Sequence, residues 1–326
     1  MKLNYEERSG VMAKLFIIGN GFDSAHKLKT SYNHFREYLL SSNPEINMDE
    51  LIIPEEIDDH KGGISYNQTE VLSMLFYLIN EAEGDTEEWN SIESSLGHLN
   101  FSEAFDWLDD IRDKDGDINY FHTSSRNNEI ASNLVIPTKT IQQFFSDWVN
   151  TINVDLAKPK KGFQELVDTQ DYFLTFNYTD TLQDVYGIEE DNICHIHGRQ
   201  FFEIFFGHGN TKDRTEDYMR DYIGAEDGLS EINRQLRKKV EKALENNLYF
   251  FNELQGASIE EIYSYGFSFS KVDTIYLKEI CNRINTENIT WYFNDYKEKE
   301  EHPKFKDVLR KCGYRGFFST FHVADE

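Results

Sequence analysis

Residues 172–180 read YFLTFNYTD and residues 193–198 read ICHIHG. Each is a short apolar run that ends in polar side chains, Asn177 and Asp180 in the first, His195 and His197 in the second, with a short helix-like stretch between them. Open α/β sheets bind ligands at the carboxyl ends of their strands. Two such strand ends in succession predict one polar site on an α/β sheet.

The same pattern extends in both directions. Residues 14–18 (KLFII) form an apolar run ending in Gly19-Asn20-Gly21-Phe22-Asp23, and residues 31–40 carry apolar side chains at helical spacing, a strand, turn and helix opening. Toward the other end, strands are expected at 261–265, 289–293 and 317–321, alternating with helices at 273–284 and 303–312. Such alternation predicts a mostly parallel sheet with helices on both faces, a Rossmann-like α/β fold. Between these ends, residues 47–159 are acidic, show helical spacing at 71–79 and 141–149 and give no clear strand. A further strand is expected at 201–206, before Gly207-His208-Gly209, and a helical segment at about 229–254. The expected organisation is a single α/β domain over 13–326 with large, mostly helical insertions at about 45–160 and 212–256, and an N-terminal extension over 1–12.

Composition narrows the function classes. A chain of 326 residues with 39% hydrophobic content can bury a substantial core. No stretch approaches the roughly 18 consecutive apolar residues of a membrane span, and the first ten residues lack the apolar centre of a signal peptide, so no membrane partner and a cytoplasmic location are expected. The widely spaced Cys194, Cys281 and Cys312 suit a reducing compartment and offer no CxxC pair. A net charge of -26 repels phosphate backbones, which disfavours direct nucleic-acid binding.

Several constellations carry chemistry. The Gly19-Asn20-Gly21 turn precedes a helix, so its amides are candidates to receive an anion, although the third glycine of a GxGxxG signature is missing. Asp23 reads equally as a helix cap, and Asp180 as the cap of the next helix. Asn177 has no such simple structural role and is a candidate to orient a water or a ribose hydroxyl. His197, before the flexible Gly198, is a candidate general base. His195, His197 and His208 lack the carboxylate or thiol spacing that completes a metal site, so no metal is expected. Gly266-Phe267-Ser268-Phe269-Ser270 repeats the strand-end pattern and leads to Asp273, with Ser268 a candidate ligand contact and Ser270 a candidate cap. No nucleophile elbow or Walker loop is present.

LFIIGNGFDSAHKLKTSYNHF, EEWNSIE, FLTFNYTDTL, ICHIHG, FFGHG and YSYGFSFSKVD, in this order over residues 15–273, resemble the AbiH family of bacterial phage abortive-infection proteins. More distantly the arrangement is similar to sirtuin-like NAD-binding domains. That likeness implies a small-molecule nucleotide partner, NAD or a related compound, as substrate or ligand. It implies Asn177 and His197 as the residues that act on the bond between nicotinamide and ribose. Around them, Gly19, Asn20, Gly21, Phe22, Asp23, Asp180, His195, Gly198, Gly207, His208, Gly266, Ser268 and Asp273 are expected to line the site. Three scattered cysteines cannot build the zinc module of a sirtuin deacylase. The function expected is phage defence by hydrolysis of the N-glycosidic bond of NAD or a related nucleotide. The alternatives are a non-catalytic nucleotide sensor and a metal-dependent nuclease or phosphohydrolase built on Asp23, Glu93 and Asp180. A homo-oligomer and a phage-derived activator are the protein partners considered.

Overall fold

The computed structural model describes residues 12–59, 63–84, 88–89, 91–106, 108–109, 111–295 and 299–324. Apart from Met12, which begins the first strand, the extension expected over 1–12 lies outside the described residues. Along the chain the elements are β1 (Met12–Ile18), α1 (Asn20–Ala25), α2 (Tyr32–Ser42), β2 (Glu56–Asp59), β3 (Gly63–Tyr66), α3 (Gln68–Glu83), α4 (Ile92–Ser95), α5 (Glu103–Asp106), α6 (Tyr120–Val149), α7 (Lys161–Leu166), β4 (Tyr172–Thr175), α8 (Thr181–Tyr186) and β5 (Ile193–His195). They continue with α9 (Thr215–Asp221), α10 (Glu226–Gln235), α11 (Val240–Asn246), α12 (Leu248–Gly256), β6 (Ser258–Tyr265), α13 (Thr274–Arg283), β7 (Thr290–Asn294), α14 (His302–Lys311) and β8 (Phe317–Phe321). None of the described helices is long and apolar enough to cross a membrane.

The chain divides into two compact units. The first gathers residues up to Thr30, Val149–Phe205 and the chain from Lys239 onward. Its six strands form one sheet in the order β5-β4-β1-β6-β7-β8, and every neighbouring pair is parallel. Counted within the sheet this is the order 3-2-1-4-5-6 of doubly wound dinucleotide-binding folds, with the reversal between β1 and β6. The central strand explains why its sequence is continuously apolar: Leu15, Phe16, Ile17 and Ile18 are all fully buried, because helices cover both faces. Leu15 and Ile17 pack with side chains of α11, α12, α13 and α14, whereas Phe16 and Ile18 pack with Phe22 of α1, Phe163 of α7 and Leu182 of α8.

The second unit, Ser31–Trp148 with Phe206–Lys238, is mostly helical. Its core is aromatic: Phe35 meets Trp89, Phe145 and Trp148, and Phe206 stacks on Phe145 at 3.9 Å. Ser31 starts α2 with a reciprocal cap, its Oγ accepting from the His34 amide while His34 Nδ1 accepts from the Ser31 amide.

Three local expectations are corrected. The acidic middle segment does contain strands, the antiparallel β2–β3 hairpin. Ile57 and Ile64 are half exposed there, so no buried face imposed an alternating pattern on the sequence. Residues 201–206 form no strand: the Phe205 amide bonds the His197 carbonyl, Phe201 adopts φ 64°, and the apolar run divides, with Phe205 in the first unit and Phe206 in the second. The helical segment at 229–254 is three pieces rather than one. The His208 amide bonds the Leu236 carbonyl and the Lys238 amide bonds the His208 carbonyl, which interrupts the chain between α10 and α11.

Candidate functional site

The site residues of the first unit leave the sheet at one level. Ile18 is in register with both Thr175 and Tyr265, and Thr175 with His195, so the loops after β5, β4, β1 and β6 emerge side by side at the carboxyl edge. Sheet bonding runs one step into the loops: Phe176 N–H reaches the Ile18 carbonyl, Ile196 N–H the Thr175 carbonyl and Gly19 N–H the Tyr265 carbonyl.

The glycines of the first turn serve backbone contact. The Gly21 amide donates to the Gly266 carbonyl at 3.0 Å and the Phe22 amide to the Gly19 carbonyl at 2.9 Å. A Cβ on Gly19 would lie 2.4 Å from the Gly266 oxygen, and one on Gly266, at φ 65°, would lie 2.3 Å from the Phe22 nitrogen. Three glycines thus let two loops touch at the point where the strand order reverses. Asn20 accepts a bond from Thr30 Oγ1 at 2.6 Å.

Beneath this turn Asp23 is buried. It does not cap α1, whose N-cap is Gly19; instead Oδ2 accepts from Thr179 Oγ1 at 2.6 Å and Oδ1 from Thr181 Oγ1 at 2.9 Å. Burial pushes its carboxyl up to about 6, against the opposing hydrogen bonds from Thr179, Thr181 and Asn177. Asn177, also buried, donates from Nδ2 to the Gly19 carbonyl at 3.1 Å and lies by Asp23. One of its amide hydrogens is therefore taken up by the scaffold, and its side-chain oxygen is an acceptor for chemistry.

The two histidines of ICHIHG part company, because β5 ends at His195 and the sheet alternation ends with it. His195 Nδ1 lies 3.2 Å from the Asn177 carbonyl and Nε2 lies 2.8 Å from Gln183 Nε2. Gln183 can only donate there, so the network assigns His195 as the neutral Nδ1–H tautomer. Burial agrees, pushing its pKa down to about 4, and its 3.6 Å approach to Asp180 is then not an ion pair between charges. Asp180 sits at the N-cap of α8 without a side-chain cap bond and instead meets Arg199 at 3.4 Å; burial raises its pKa and Arg199 opposes the rise. Cys194, facing away, is core as expected.

His197 is buried with its ring against Phe176 and Tyr276, and its Nε2 lies 3.4 Å from Asp273 Oδ1. Gly198 adopts φ 83°, where a Cβ would collide with the Glu203 carbonyl oxygen. Asp273 is the N-cap residue of α13 but makes no side-chain cap bond; its Oδ2 accepts from Ser270 Oγ at 2.8 Å. Phe267 and Phe269 point into the core, which turns Ser268 outward as an exposed residue.

Gly207, His208 and Glu93 belong to the second unit. His208 is fully buried: Nδ1 accepts from the Asn210 amide at 3.1 Å and Nε2 faces the Asn233 carbonyl at 2.9 Å, so both ring nitrogens are engaged by backbone. Burial lowers its pKa, consistent with that neutral form. Gly207 passes close to Leu236, whose carbonyl oxygen a Cβ would meet at 2.1 Å. These two residues join strands of backbone and present no ring nitrogen to a ligand. Glu93 accepts from the buried Lys238 at 2.7 Å. The carboxylates of Asp23 and Glu93 are thus committed to protein donors, and among the described residues no group of three His, Cys, Asp or Glu side chains gathers as a metal site.

Reading the sequence missed Thr179, Thr181, Gln183 and the bond between Ser270 and Asp273. The spacing Asn177, Thr179, Thr181 after a buried strand was the available signal for the first two.

A family model described as bacteriophage abortive infection AbiH matches residues 15–295. Neither a curated protein nor a solved structure matches the chain.

Proposed function

The chain belongs to the AbiH family and its role is bacteriophage abortive infection; from that premise we propose that it binds a nucleotide, NAD or a related compound, and hydrolyses its N-glycosidic bond on a sirtuin-like sheet. The observation that carries this reading is the His197–Asp273 pair on the loops after β5 and β6, at the carboxyl edge of a sheet in dinucleotide-binding order.

The residues fit the ribosyl end of such a substrate better than its diphosphate. Asn177 offers an amide oxygen and His197 an imidazole, whereas the Gly19 amide already bonds Tyr265 at the end of β6 and the Gly21 amide bonds Gly266 in the loop after it. In the proposed reaction the bond between the ribose carbon and the base nitrogen breaks, and its electron pair leaves with the base. Water supplies the new oxygen bond, and His197 accepts the water's proton and passes it to solvent. Asn177 orients the attacking water or a ribose hydroxyl. For NAD the products are nicotinamide, ADP-ribose and a proton.

The test is NAD content in phage-challenged cells, with nicotinamide and ADP-ribose followed by mass spectrometry. Wild-type chain should deplete NAD and His197→Ala should not. NAD that stays intact while wild type protects the cells would sink the hydrolase reading. A non-catalytic sensor is the second reading, favoured by the use of the Asn177 amide in holding the Gly19 loop. In that case protection in His197→Ala follows ligand affinity alone.

A further inference from the structure

We propose that Asp273, clamped by Ser270, is a positioning residue that holds His197 as the Nε2–H tautomer and so places the basic lone pair on Nδ1; the catalytic consequence rests on the hydrolase reading above. The distance between the pair points to this choice. A carboxyl oxygen 3.4 Å from Nε2 favours a hydrogen on that nitrogen, since two lone pairs would otherwise face each other. His195, two residues earlier, is set in the opposite tautomer by Asn177 and Gln183, so ICHIHG carries two imidazoles with different assigned chemistry.

Each member of the relay is held in turn. Ser270 Oγ donates to Asp273 Oδ2 at 2.8 Å and leaves Oδ1 directed at the ring, while the Asp273 amide bonds the Ser270 carbonyl at 3.2 Å. Ser270 follows Phe269, which adopts φ 54° and stacks on Phe305 at 4.5 Å, so the turn is anchored in the core. On the other side the His197 carbonyl accepts from the Phe205 amide at 2.9 Å, and the ring is flanked by Phe176 and Tyr276 at 5.3 and 5.5 Å. Tyr276 also lies against the ring, with its hydroxyl 3.4 Å from the Val240 carbonyl. A contact of this length is ordinary for a catalytic pair before substrate arrives, when such hydrogen bonds are long.

The experiment is nitrogen NMR of the full chain carrying labelled histidine, with His197 assigned by its loss in His197→Gln. In wild type the shifts should report Nε2–H at His197 and Nδ1–H at His195. In Asp273→Asn the Nδ1–H population at His197 should rise several-fold, and in Ser270→Ala it should rise less, with Ser270→Thr restoring the wild-type ratio. In the same variants NAD turnover should fall about 100-fold and about 5-fold, with KM within twofold. Unchanged His197 tautomer ratios in both variants would overturn the relay. A tautomer shift in a chain that leaves NAD intact supports the relay and removes the hydrolase reading instead. Ser270→Ala leaves the carboxylate in place, so it remains informative if Asp273→Asn misfolds.

Discussion

Asn177 Nδ2 donates to the Gly19 carbonyl across 3.1 Å, so one side chain on the loop after β4 holds the loop after β1. The same side chain lies by Asp23 and opposes the rise that burial gives its carboxyl, which places a single residue between two loops and a buried carboxyl. Asn177→Ala removes this cross-loop bond while the Gly19 carbonyl keeps the Phe22 amide, and should cost about 1 kcal/mol. That corresponds to a fall of about 1.5 °C in Tm for a chain of this size. Scanning calorimetry checks it, and an unchanged Tm would mean that the amide does not tie the loops.

Asp23 gives stability a pH slope. Its carboxyl is raised from 3.8 to about 6, so between those values the folded chain keeps a proton that the unfolded chain releases. Stability therefore falls as pH rises through that window and stays lower above it, by about 3 kcal/mol. Asp23→Asn should flatten this component. Urea midpoints at pH 4.5 and 7.5 measure it, and equal slopes in wild type and variant would contradict the assignment.

Gly266 and Gly187 share φ 65° but differ in surroundings. A Cβ on Gly266 would meet Phe22 nitrogen at 2.3 Å, whereas one on Gly187 would meet nothing within 4 Å. Gly187→Ala should cost about 1 kcal/mol, the backbone penalty alone. Gly266→Ala should cost about 3 to 5 kcal/mol, because two loops must separate. Similar unfolding midpoints for the two variants would show that the loops do not need their close approach.

His208→Leu removes both ring nitrogens from buried backbone partners and should destabilise the chain by about 3 kcal/mol. If its role is the backbone joint seen here, NAD affinity of the folded fraction, measured by titration calorimetry, stays within twofold of wild type. A tenfold loss of affinity without loss of stability would return His208 to the ligand site.

Much of the fold was legible because burial on both faces leaves a plain mark. Residues 14–18, 172–176 and 193–196 were apolar without alternation, and β1, β4 and β5 lie there. The β2–β3 hairpin left no such mark, since its isoleucines remain half exposed. Residues 201–206 carried a false one, because two phenylalanines buried in different cores looked like one strand. In the site, the strand-end position of Asn177, His195 and His197 was readable from the order of apolar runs and turns. Their partners were not, for Gly19, Gln183 and Asp273 are 158, 12 and 76 positions away in the chain.

By itself the sequence determined the alternation of strands and helices and the motifs that resemble AbiH. Local apolar patterning is set by which residues face the core, and it needs no knowledge of distant neighbours. Only the tertiary structure decided that the glycines of the first turn hold Gly266, that Asp23 lies buried under two threonines, and that His197 faces Asp273 while His195 does not. Hydrogen-bond partners, tautomers and buried charge depend on which strand ends the sheet order makes adjacent. That adjacency follows from the packing of the whole sheet rather than from any one stretch of chain.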